Sequence, residues 1–120
     1  MKASSLSFRA ATVLLVVGIV WGMVMGITDD PSTIPGHAHL NLMGWVSLFL
    51  FGVYYHLHPA LDSGRLAIAQ VWIWILGTIA LSIGVALVHS GHEIGIPIAA
   101  VSSSITLLDV FLFGWLVFRQ

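Results

Sequence analysis

Six histidines stand in a chain without cysteine. Two of them, His37 and His39, flank a single alanine where a long apolar run begins, and His56 and Pro59 mark the far end of that run. Imidazole is a good ligand for haem iron, copper and zinc. At the mouth of a membrane helix a polar pair is also expensive to keep, which marks it as a candidate site. Residues two apart on an α-helix diverge by about 200°, so His37 and His39 cannot readily hold one ion together. Each serves its own side of the helix: His37 shares its face with Asn41 and Gly44, and His39 shares its face with Met43 and Val46. His89 and His92 stand at the end of a second apolar run. The candidate metal ligands are therefore His37, His39, His89 and His92.

Hydropathy dictates the elements that carry these side chains. Hydrophobic residues make up 58% of the 120 residues and charged residues 8%, with a mean hydropathy of +1.02. A soluble domain this small is mostly surface and cannot hide so much apolar area, so the expected solvent is the lipid bilayer. A net charge of −1 with four basic residues leaves no patch for phosphates, and nucleic acid is not an expected partner. Lack of cysteine excludes disulfides, thiolate metal sites and covalent c-type haem. Four runs reach the roughly 20 helical residues that cross a hydrocarbon core, at about 8–28, 37–57, 66–88 and 97–118. Turn-forming residues interrupt them at 29–36, 58–64 and 90–95. The expected fold is all-α, an integral membrane up-down four-helix bundle forming a single domain over residues 1–120. The first run is too long for a signal peptide, and Gly22-Met-Val-Met-Gly26 is a poor cleavage site.

Charge sets the expected orientation. Lys2, Arg9, Arg65 and Arg119 fall at one side of this topology, and Asp29, Asp30 and Glu93 at the other. The positive-inside rule then places both termini in the cytoplasm. His37, His39, His89 and His92 come to the outer face, where all four could converge, and His56 and His58 to the inner face.

The stretch His37-Ala-His39-Leu-Asn-Leu-Met43-Gly44, with Gly52, His56 and Pro59 further on, resembles the tenth helix of subunit I of the haem–copper oxidases. In that family a His-x-His pair opens the helix at its outer end. One histidine ligates the high-spin haem and the other the low-spin haem, on opposite faces. The family's twelve-helix core also looks like three four-helix repeats, and this chain resembles one of them. In the middle repeat, the place of His89 and His92 holds a copper-binding His-His pair; the match there is by position. The chain departs from the family in lacking a His-Pro-Glu-Val-Tyr segment and any arginine in the outer loops.

What the resemblance implies is non-covalent haem b, with copper as a further candidate cofactor, in a multi-pass protein of the bacterial inner (plasma) membrane. His39 is the candidate bis-histidine or low-spin ligand and His37 the ligand on the second face. Because the pair diverges, one four-helix unit cannot enclose a haem between two axial histidines. The expected state is a homo-oligomer, a trimer imitating the twelve-helix core, with haem between second spans of adjacent protomers. Electron transfer or binding of O2 or NO follows, with an electron-donor protein or a quinol as the candidate partner. Whether the chain is a haem-dependent oxidoreductase stays open. Two alternatives remain: a copper- or zinc-binding membrane protein using the outer histidines, and a cofactor-free structural accessory subunit.

Three further features are readable. Gly18, Gly22 and Gly26 form a small-residue stripe suited to close helix approach through backbone contact, and Gly77 and Gly84 read the same way. Asp109, the only carboxylate deep within a span, reads either as a proton relay reached by a polar track of Thr78, Ser82, Ser102 and Thr106 or, in the favoured reading, as a protonated or hydrogen-bonded tie between two helices. Trp21 and Trp115 are expected at the membrane interfaces, whereas Trp45, Trp72 and Trp74 could flank a porphyrin or pack.

Overall fold

The computed structural model describes residues 1–120, and four helices in it are long and apolar enough to cross a membrane: α1 (Ala3–Thr28), α2 (Ile34–Leu57), α3 (Arg65–His89) and α4 (Gly95–Phe118). The all-α reading holds, with no strand anywhere in the chain. Helix α1 begins five residues earlier than hydropathy suggests, because polar Ser4 and Ser7 are buried by packing and need no lipid. Ser4 donates through its backbone N–H and its hydroxyl to the two oxygens of Asp62, both at 2.7 Å. That contact pins the start of α1 to the single turn Pro59–Asp62.

Helix α1 lies along α2 and α3 along α4 to the same extent, α2 meets α3 between these two pairs, and α1 also touches α3, while α1 and α4 make no comparable contact. Phe113 of α4 reaches across to Phe51, Tyr54 and Tyr55 of α2. Helix α3 is accordingly the most buried span and α1 and α4 the least. The four helices thus form an open arc with two unpaired edges. The core follows the arc: Leu14, Leu40, Leu48, Tyr55, Val71, Trp74 and Leu116 are all buried.

Helix α2 is not uniformly α-helical. It is α-helical over Ile34–His39, π-helical over Leu40–Ser47 and α-helical again over Leu48–Leu57. Its buried side reads Gly36, Leu40, Gly44, Leu48 and Gly52, one residue in every four. On an ordinary helix of 3.6 residues per turn such a stripe drifts by about 40° per step. The wider i→i+5 turn offsets part of this drift and keeps the stripe on its neighbours. One tertiary contact uses a carbonyl of the widened segment, Trp74 Nε1 donating to Met43 O at 2.9 Å, and within the segment Ser47 Oγ donates back to Leu42 O at 3.1 Å.

Candidate functional site

The connection before α2 decides where the histidine pair sits. Asp29 takes a left-handed conformation, φ 51°, and its N–H bonds to Met25 O, which ends α1. Asp30 Oδ1 accepts the Ser32 backbone N–H at 3.0 Å, and this bond holds its carboxyl below the usual carboxylate range. Helix α2 then starts at Ile34 with Pro35 in its first turn. His37 and His39 therefore stand inside the helix, about one turn deeper than the opening position expected from hydropathy.

The two rings do diverge. His37 is turned towards α1. There a Cβ added to Gly22 would lie 3.1 Å from His37 Cε1, and one added to Gly18 would collide with the Asn41 carboxamide. The Trp21 indole meets the His37 ring edge-on at 6.2 Å, and its Nε1 donates to Thr33 Oγ1 at 2.9 Å. Asn41 Nδ2 donates to His37 Nε2 at 3.2 Å. On this arrangement the ring proton sits on Nδ1. Both His37 Nδ1 and Asn41 Oδ1 are nonetheless buried without a partner. An orphaned polar atom costs about 1–3 kcal/mol, so this pair is held at a penalty beside a cleft of about 510 Å³ lined by Gly22, Met25, Gly26, Asp29, Asp30 and His37, among others.

This geometry corrects the reading of the glycine stripe. Gly18 and Gly22 make room for a carboxamide and an imidazole, not for backbone contact, and Gly26 has nothing within 4 Å. Backbone contact occurs elsewhere, between α3 and α4: a Cβ on Gly84 would come within 2.7 Å of Ala99 N. Trp21, for its part, is partly buried and braces the first loop, whereas Trp115 is 52% exposed at the end of α4.

His39 occupies the opposite flank of α2. Its Nδ1 donates to Pro35 O at 2.7 Å, which fixes the tautomer and leaves Nε2 with a free lone pair. An anchored Nδ1–H is the arrangement that orients a metal-ligating histidine and raises its basicity. The flank runs on through half-buried Met43, Ser47 and Phe51. It opens into a groove of about 460 Å³ lined by Ser47, Phe51, Tyr54, Trp74 and Phe113 among others. Of the tryptophans that could flank a porphyrin or pack, Trp74 is buried against Phe51 and Trp72 is 43% exposed. Trp45 packs on Phe49.

The remaining histidines lie apart. His89 and His92 are exposed; His89 Nδ1 bonds to Val85 O and His92 Nδ1 to Ser90 Oγ. Within the chain no group of three or more histidine, aspartate or glutamate side chains is close enough to hold a metal ion. His37, His39, His89 and His92 therefore do not converge within the chain. Their helices bring them to one end of the arc, but α2 turns its two rings to opposite flanks. At the other end His58 stacks on Tyr54 at 4.0 Å, and His56 is exposed.

A second polar constellation spans α2, α3 and α4. Tyr55 Oη donates to Gln70 Oε1 at 2.8 Å, and Gln70 Nε2 donates to Asp109 Oδ2 at 2.8 Å. All three side chains are buried. Asp109 thus ties α3 to α4 as expected, but through Gln70, which hydropathy gave no reason to single out beyond its being the lone amide of α3. The track of hydroxyls is discontinuous. Ser102 and Thr106 donate to their own helix, at Ile98 O and Ser103 O, and Thr78 Oγ1 and Ser82 Oγ have no partner.

The sequence is similar to two proteins described as cytochrome c oxidase subunit 1, both from Thermus thermophilus. One is 32% identical over 91 residues, covering 62% of this chain and 84% of the relative. The other, a longer protein, is also 32% identical over 91 residues, covering 62% of this chain but 16% of the relative. No family model matches the sequence, and no solved structure matches it.

Proposed function

The chain belongs to the cytochrome c oxidase subunit 1 family, and we propose that it is a haem-binding membrane protein acting in electron transfer or in binding O2 or NO. The observation that carries this reading is His39: its Nδ1 is anchored on Pro35 O, and its Nε2 is free on a flank that continues into an aromatic groove. This side chain fits a haem: His39 would supply a ligand to its iron, with Met43 one turn further along the same flank. Bound there, haem would supply one-electron chemistry and a site for a small gas. His37 fits less directly, since Asn41 occupies its Nε2 and Nδ1 is enclosed. It would serve as the ligand on the second face only if Asn41 released it.

Within this proposal the protein is a homo-oligomer, a trimer being favoured, and the chain corresponds to one four-helix repeat of subunit I. The open arc leaves α1 and α4 without a neighbour on their outer sides, where a second copy would have to dock in place of lipid. As His37 and His39 point apart, any second ligand would have to come from a neighbouring copy. Grouping of Lys2, Arg9, Arg65 and Arg119 at one end supports cytoplasmic termini in a bacterial inner membrane.

The test is a visible spectrum of the purified protein after haem-replete expression. A Soret band that disappears in His39→Ala and survives in His92→Ala supports the assignment. Absence of a Soret band in the unsubstituted protein overturns it.

A further inference from the structure

At the end of the arc away from the histidine pair, a cleft of about 190 Å³ lies between the start of α3 and the end of α4, with Leu61, Leu66 and Leu116 among its apolar lining residues. Arg65 and Arg119 both line it. They stand on different helices, and both are exposed. Neither guanidinium is neutralised by the chain. Asp62, the nearest carboxylate in sequence to Arg65, gives its two oxygens to Ser4, and Arg119 lies over the Trp115 ring at 4.4 Å. The backbone adds to this field. Helix α3 begins after Gly64 with no side-chain cap. The first three N–H groups of a helix have no partner within it, and here they belong to Arg65, Leu66 and Ala67, all of which line the cleft. Two free guanidinium groups, three free N–H donors and the positive end of a 25-residue helix therefore meet over an apolar floor.

We propose that this cleft binds the phosphate of an anionic phospholipid, with the headgroup between Arg65 and Arg119 and an acyl chain on the leucines. A phosphate monoanion matches the donors. Arginine offers a bidentate fork to its oxygens, and helix N-termini receive such groups readily. The leucines separate a lipid from a free ion, because only a lipid gains from contact with them. An exposed tryptophan at the end of α4 sits at the depth where headgroups meet acyl chains. This site shares no residue with the haem ligand, so either reading can fail without the other.

The experiment is native mass spectrometry of the full chain, delipidated in detergent and titrated with phosphatidylglycerol, phosphatidylcholine or inorganic phosphate. Phosphatidylglycerol is expected to bind about ten-fold more tightly than phosphatidylcholine, and Arg65→Gln and Arg119→Gln each to weaken it by about five-fold. The double substitution removes the preference, and replacing both arginines by lysine restores part of it. Equal binding of the two lipids overturns the proposal, and so does a preference that survives R65Q/R119Q. Displacement of the lipid by millimolar inorganic phosphate assigns the cleft to free phosphate and overturns the lipid. If R65Q/R119Q does not fold, salt decides. The preference falls between about 0.05 and 0.5 M ammonium acetate as screening shortens to roughly 4 Å, and one that is salt-independent overturns the site.

Discussion

Glycine serves two opposite purposes in this molecule, and the contrast between the α1–α2 and α3–α4 seams shows how. Between α3 and α4, Gly84 lets two backbones touch, and a Cβ on it would meet Ala99 N at 2.7 Å. Between α1 and α2, Gly18 and Gly22 leave space that Asn41 and His37 fill. Unpartnered polar atoms do not separate the two seams, since Thr78 Oγ1 and Ser82 Oγ on α3 and Asp109 Oδ1 on α4 are buried without partners, as His37 Nδ1 and Asn41 Oδ1 are. What separates them is the neighbour of the glycine, backbone at Gly84 and a polar side chain at Gly18 and Gly22. A small residue in a membrane helix is thus an allowance of volume, and the facing helix decides whether backbone or functional side chain occupies it.

Substitutions that add volume or remove a partner can break this contrast. The largest effect is expected at Gly84→Val, where the obstacle is backbone that cannot swing aside. We expect a loss of about 3 kcal/mol or more, read as a large fall in the thermal midpoint in detergent. Gln70→Leu comes next, since it strips Asp109 Oδ2 of its donor and leaves the carboxylate buried with neither oxygen paired. Its expected cost is about 1–3 kcal/mol by denaturant unfolding, and Asp109→Asn in the same background should recover part of it. Gly22→Ala should be milder, about 1 kcal/mol, because the His37 ring can shift by a few tenths of an ångström. It should also change the His37 imidazole NMR signals while leaving those of His89 in place. If G84V were tolerated and G22A were not, the two seams would have been assigned the wrong way round.

Trp74→Phe is the smallest and probes the widened turn of α2. Loss of the Nε1 bond to Met43 O should cost about 0.5–1.5 kcal/mol. Amide hydrogen exchange should rise at Leu40–Ser47 and stay unchanged in the α-helical part of α2 that follows.

Much of the architecture was legible in the sequence, for a simple reason. A bilayer imposes a length on every apolar run, so four runs of that length mean four helices, and short connections alternate their direction. Divergence of His37 and His39 was legible too, since it needs only helical geometry. The partners of these residues were not. Nothing local to Gly18 and Gly22 says that a polar pair rather than a backbone faces them. Nothing near Gln70 says that it sits between Tyr55 and Asp109, 15 residues away in one direction and 39 in the other. The open arc was unreadable as well, because a hydropathy run looks the same whether lipid or protein covers it.

By itself, the sequence determined a membrane protein of four spans, a histidine pair facing two ways, and the charge asymmetry between its ends. Those properties depend on composition and on the repeat of a single helix. Tertiary structure alone decided that His37 is enclosed while His39 keeps a free Nε2, that α2 widens over Leu40–Ser47, and that α1 and α4 stay apart. Each of these depends on which surface a neighbouring helix presents, and that is a property of the packed arc, not of any one span.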